Sequence, residues 1–337
     1  MASVSIGSLV LESNQVLHGA SLAYERVGKK DAPAILVCHA LTGDQHSVGT
    51  EERPGWWAGL IGPGKAVDTN VFQVITFNVL GGCNGSTGPQ SVNPETGEPY
   101  RASFPLLTIR DMVRAERAAL ERLGVSHLAA VIGGSLGGMK TLEWGHLYPD
   151  FVDIIFPLAV TPAYSDYGIA FNHIGIQAIE GDAEFKGGNY EDSARLNGFH
   201  VARMAGMVTY RSSQLFNRRF SREHNGSQFD VESYLSYQGK KLAERFDANS
   251  YITLLKAMNT HDVRKAGIET EVFSLSYSHD LLYPQELMAP WLDSLPKAAW
   301  QLVETDFGHD GFLVEFEKWG GHIQTKLNQL FVSQPAG

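Results

Sequence analysis

The 337-residue sequence predicts an α/β fold: a mostly parallel central sheet flanked by helices and interrupted by a helical insertion. Three observations carry this expectation. Continuously apolar or β-branched runs alternate with helical stretches through the first half, as strands buried on both faces require. One such run, Leu128-Ala129-Ala130-Val131-Ile132, leads directly into Gly133-Gly134-Ser135-Leu136-Gly137-Gly138. Strand signals then vanish between about residues 161 and 267 and return afterwards.

Taken in order, Ser8–Leu11 and the alternation around Leu22-Ala23-Tyr24-Glu25 predict an antiparallel edge. The runs 34–38 and 71–77 predict parallel strands. From Ile109 to Leu123 the spacing is helical, with Met112, Val113, Ala119, Leu120 and Leu123 on one side, Arg and Glu on the other, and a stop at Gly124. The nucleotide-free reading of the glycine run is a strand-turn-helix elbow, with its helix over 139–148 stopped by Pro149. A further buried strand follows at 152–158. Glycine and polar breaks at 187–189 and 224–226 divide the insertion into helices, and strands resume at 271–277 and 299–303. The division expected is a core of residues 1–160 and 268–337 with a helical lid of 161–267.

Composition narrows the function classes. With 43% apolar residues the chain can bury a large core, and a formal charge of −10 argues against a general nucleic-acid or anionic-membrane surface. The two cysteines, Cys38 and Cys83, read as buried or loop thiols rather than a disulfide framework. Residues 1–6 lack a charged-then-apolar leader, and no apolar run approaches the ~18 residues of a membrane span, so a cytoplasmic protein is expected.

A G-x-S-x-G between strand and helix forces its serine into a strained turn, holds the hydroxyl out at the carboxyl edge of the sheet, and aims helix N–H groups at it. A phosphate cradle is the competing reading, but no Lys stands at the spacing a P-loop needs. Downstream come an acid and a histidine in the order that accompanies such an elbow. Asp280 lies after the strand 271–277, and His309 lies between Gly308 and Gly311, beyond the last strand. Ser135, His309 and Asp280 are therefore the candidate nucleophile, base and orienting acid. Two N–H donors for an oxyanion are expected from Leu136 and from Leu41 in the loop His39-Ala40-Leu41-Thr42-Gly43. His39 itself reads as a loop-shaping residue, and no zinc-binding pattern is present.

A bare triad does not separate a hydrolase from a transferase. The chain closely resembles the homoserine O-acetyltransferase family of the α/β-hydrolase superfamily in several separate stretches. These are 39–43; Asn78-Val79-Leu80-Gly81-Gly82-Cys83 with Gly85-Ser86-Thr87-Gly88-Pro89; Phe104-Pro105; Thr108-Ile109-Arg110-Asp111; the elbow; Ala202-Arg203-Met204; Thr209-Tyr210; residues 231–235 and 245–251; and Gly308-His309-Asp310. The resemblance implies an α/β-hydrolase fold and places the family's triad on Ser135, Asp280 and His309. It also implies that Arg203 grips the acceptor's carboxylate, that Tyr210 lines the same pocket, and that Asp310 holds the α-ammonium.

The activity so implied is transfer of acetyl from acetyl-CoA, a co-substrate rather than a bound cofactor, to L-homoserine by a ping-pong route in methionine biosynthesis. A homodimer is expected by the same resemblance. Alternatives remain a succinyl-CoA donor, a serine acceptor, or a carboxylesterase-type hydrolase. The absence of Arg or Lys in Leu281-Leu282-Tyr283 points to acetyl, and Leu136 stands where the family commonly has methionine. Arg211, Arg218, Arg219 and Arg222 are the candidate cations for CoA phosphates, with a solvated helix face as the plain alternative.

Overall fold

The computed structural model describes residues 1–332. The chain opens with β1 (Ala2–Val10) and β2 (Val16–Val27), which pair antiparallel, followed by β3 (Ala34–Cys38). A short parallel pair, β4 (Ile61–Gly62) and β5 (Val67–Asp68), precedes β6 (Gln73–Phe77). Next come α1 (Ile109–Arg122), β7 (Leu128–Gly134), α2 (Leu136–Leu147) and β8 (Val152–Leu158).

Between β8 and the next sheet strand lie α3 (Asp166–Glu180), α4 (Asn197–Tyr210), α5 (Ser213–Phe220), a hairpin of β9 (His224–Asn225) and β10 (Gln228–Phe229), α6 (Asp230–Ala243) and α7 (Ala248–Asn259). The sheet resumes with β11 (Glu271–Tyr277), then α8 (Gln285–Leu292), β12 (Ala298–Val303) and α9 (Phe316–Val332).

Among the described residues, eight strands form one sheet in the order β1-β2-β6-β3-β7-β8-β11-β12. β2 pairs antiparallel with β6, and every pairing from β6 through β12 is parallel. All five residues of β3 and all seven of β7 are buried. Period-two alternation sends Ile35 and Val37 into the core cluster shared with Trp319 and Ile323 of α9, and Leu36 and Cys38 into the cluster shared with α1 and α2. The carboxyl ends of β3, β7, β11 and β12 therefore open toward one edge, where ligands of open parallel sheets bind.

Two departures from the sequence reading have physical reasons. Residues 224–226 are not a simple break, because Asn225 pairs with Gln228 across a two-residue loop in which Gly226 has φ +63°. Strands of two residues are too short to show periodicity. Glu116 belongs by pattern to the polar side of α1, yet it is 1% exposed and meets the fully buried ammonium of Lys140 on α2. The Trp144 indole N–H also donates to Glu116, at 3.0 Å. At its start, α1 carries a capping box that the sequence reading did not anticipate: the Asp111 N–H donates to Thr108 Oγ1 and the Thr108 N–H to Asp111 Oδ2, both at 3.1 Å.

Removing one partner of a buried ion pair strands the other charge in a low dielectric. Lys140→Met should lower the unfolding free energy in urea by about 3 kcal/mol, and adding Glu116→Leu should regain most of that loss. Equal stability of the single and double variants would contradict the pairing.

Candidate active site

Ser135 stands between β7 and α2 with φ +59° and ψ −123°, a backbone conformation rare for a residue with a side chain. Close packing holds it there. A Cβ at Gly137 would lie 2.1 Å from the Cys38 carbonyl oxygen, and one at Gly134 would lie 2.3 Å from the Phe312 ring. Glycine is required at both positions because the first turn of α2 rests on the end of β3, and β7 rests on the segment that follows His309. The Ser135 N–H donates to the Leu158 carbonyl at 3.0 Å, and the Ser135 carbonyl accepts from the Met139 N–H at 2.9 Å, so α2 starts at once. The Leu136 N–H thus belongs to the unpaired first turn of a helix.

His309 lies in a 3-10 turn, Gly308–Leu313, rather than in an open loop. Its Nδ1 is 2.8 Å from Asp280 Oδ2, and both residues are buried. The other carboxylate oxygen of Asp280 accepts the N–H groups of Leu282 at 2.9 Å and Tyr283 at 3.0 Å, which fixes the carboxylate's rotation. Nδ1 accordingly carries a proton toward Asp280, leaving Nε2 to face the pocket that Ser135 also lines. Burial works against the imidazolium, but the charge and hydrogen bond of Asp280, with the charge of Asp310, more than offset it and raise the His309 pKa above 6.5. The Tyr283 ring stacks on the imidazole with centroids 4.9 Å apart.

The opposite wall is the loop after β3. The Val79 N–H donates to His39 Nε2 at 2.9 Å, so the proton sits on Nδ1 and is given to the Ala40 carbonyl at 2.7 Å. Burial first, and the Lys140 charge second, depress the His39 pKa to about 4. Neutral and engaged at both nitrogens, His39 shapes the turn that brings Leu41 to the pocket. The Arg245 guanidinium ties the same loop to the start of α7 by donating to the Thr42 carbonyl at 3.0 Å, a role with no local sign in the sequence.

Ser135, His309, Leu41, Arg203, Tyr210 and Asp310 all line one cavity of about 90 Å³. Arg203 and Tyr210 are two turns apart on α4, so they share a face, and the guanidinium lies 5.5 Å from the tyrosine ring centroid. The Arg203 Nε is buried without a protein hydrogen-bond partner. Tyr164, Tyr251 and Tyr283 complete an aromatic wall that sequence order alone did not single out.

The four arginines grouped as phosphate candidates each have partners within the protein. Arg211 donates from Nε to Asp310 Oδ2 at 3.0 Å, and Arg218 donates to Asp306 Oδ2 at 2.7 Å. Arg219 lies 4.6 Å from the Tyr234 ring centroid and Arg222 lies 5.6 Å from that of Phe229. Arg211 therefore departs from the exposed cationic face envisaged for it: its guanidinium is turned onto a carboxylate of the pocket. No helix among the described residues is long and apolar enough to cross a membrane.

A family model described as the alpha/beta hydrolase fold matches residues 33–316. The homoserine O-acetyltransferase of Moorella thermoacetica is 43% identical, covering 96% of this chain and 94% of that protein. The crystal structure of the homoserine O-acetyltransferase from Bacillus anthracis superposes with a TM-score of 0.92 at 26% identity, over 97% of each chain. A mutant of esterase E22 superposes with a TM-score of 0.90 at 25% identity, over 97% of this chain and 98% of the esterase. The same architecture thus serves proteins named for acyl transfer and for ester hydrolysis. With 43% identity over nearly its full length, this chain belongs to the homoserine O-acetyltransferase family, acyltransferases built on the alpha/beta-hydrolase fold.

Proposed function

We propose that the protein transfers an acetyl group from acetyl-CoA to the hydroxyl of L-homoserine, giving O-acetyl-L-homoserine and CoA. The observation that carries this reading is the placement of Arg203 and Asp310, one cation and one anion, in the same cavity as Ser135 and His309. An amino acid presents the complementary pair of charges. A planar guanidinium suits the carboxylate, Asp310 suits the ammonium, and the remaining hydroxyl is directed toward Ser135.

In the first half-reaction His309 Nε2 takes the Ser135 proton while Oγ bonds to the thioester carbon. The Leu41 and Leu136 N–H groups stabilise the oxyanion. The C–S bond then breaks, and the proton passes from His309 to the CoA sulfur. In the second half-reaction His309 takes the proton of the acceptor hydroxyl, whose oxygen attacks the acetyl carbon. Ser135 leaves and recovers its proton. Transfer wins over hydrolysis because the helices between β8 and β11 act as a lid that orders the acceptor and restricts water.

The segment Leu281-Leu282-Tyr283, of which Leu282 and Tyr283 line the cavity, offers no cation for a second carboxylate, which favours acetyl over succinyl. The reaction belongs to methionine biosynthesis in the cytoplasm, and the working form is a homodimer. The likeness to an esterase makes hydrolysis the competing reading.

Thiol release from acetyl-CoA should be fast only when L-homoserine is present, and slow with L-serine or with succinyl-CoA. Fast release without any acceptor would make the protein a hydrolase. Because His309 must be neutral to accept a proton and its pKa is raised in the folded protein, the acylation rate should climb with pH through a midpoint above 6.5. Asp280→Asn should move that midpoint down and cut the rate by about a thousandfold or more. A midpoint unchanged by Asp280→Asn would contradict the role given to the carboxylate.

A further inference from the structure

The turn between α4 and α5 grips the segment that carries His309. Arg211 donates to Asp310 at 3.0 Å, the buried Ser212 hydroxyl donates to the Asp306 carbonyl, and Arg218 donates to the Asp306 carboxylate at 2.7 Å. Packing leaves little slack, since a Cβ added at Gly308 would lie 3.1 Å from the Ser212 N–H nitrogen. Arg211 and Asp310 are 23% and 16% exposed, so their pairing is partly shielded from water. Only Oδ2 of Asp310 is engaged by the arginine.

We propose that Arg211 is a positioning residue for acceptor recognition: by holding one oxygen of Asp310, it turns the other toward the place of the acceptor's amino group. This inference rests on the reading of Asp310 as the ammonium's partner. Without Arg211 the carboxylate is free to rotate about its side-chain torsions, and the donor-acceptor alignment that a charge-assisted hydrogen bond requires is lost. Arg211 touches neither substrate in this account. Its effect is selective, falling on acceptors that carry an amino group and sparing the preference for a carboxylate, which Arg203 supplies.

The test compares kcat/KM for L-homoserine with that for γ-hydroxybutyrate, which keeps the hydroxyl and carboxylate but lacks the amine, in the full-length protein. Thermal melting checks that each variant is folded. The wild type should prefer L-homoserine strongly. Arg211→Gln should reduce that preference by about tenfold, the scale of one charged hydrogen bond, mainly through KM for L-homoserine. Arg211→Lys, which keeps a cationic donor, should retain part of the preference.

Equal losses on both acceptors would overturn the proposal and make Arg211 a general prop of the turn. An unchanged preference in the folded Arg211→Gln protein would overturn it as well. A wild type that does not prefer L-homoserine over its amine-free analogue would instead remove the assignment of Asp310, and the inference with it.

Discussion

The close approach of the Ser135 turn to the end of β3 is the constraint on which the site depends. Gly137 touches the Cys38 carbonyl oxygen at a distance no side chain tolerates, and one turn later Lys140 buries its charge against Glu116 of α1. These contacts clamp α2 to β3 and α1, fixing the helix start relative to the Leu41 loop. Two N–H donors on separate segments converge on one point only if the segments are rigidly registered, which is the preorganisation that electrostatic stabilisation requires. Strain at Ser135, with φ of +59°, persists because this packing over-determines it.

Around that fixed centre the inserted helices supply much of the cavity wall. Their arginines reach across to both walls of the cavity: Arg245 binds the carbonyl of Thr42 in the Leu41 loop, and Arg211 binds Asp310 beside His309. Arg203 and Tyr210 project from α4 into the cavity between them. An esterase shares this architecture over nearly its whole length, so the fold alone leaves the acyl group's destination open. In the proposed function that destination is set by charge complementarity, with Arg203 supplied by the insertion and Asp310 by the turn after β12.

Much of this was legible in the sequence because the information was local. Strand alternation, the glycine elbow, and the order of Ser135, Asp280 and His309 each occupy a few adjacent residues or follow from chain order. The hidden features are pairings between distant segments. Nothing near Glu116 separates it from the exposed acids of α1, because its partner is on another helix. Arg211 looks like Arg218, Arg219 and Arg222 until the fold brings it to a residue 99 positions away. The β9-β10 hairpin failed to show for a different reason, its strands being shorter than any period.

Passage of the acyl group through Ser135 is the central claim, and mass spectrometry of the protein quenched soon after mixing with acetyl-CoA tests it most directly. The account predicts one added acetyl group on the peptide containing Ser135, discharged into O-acetyl-L-homoserine when L-homoserine is then supplied. Rapid product formation with no acetyl group trapped on the protein, and with turnover surviving in Ser135→Ala, would contradict it.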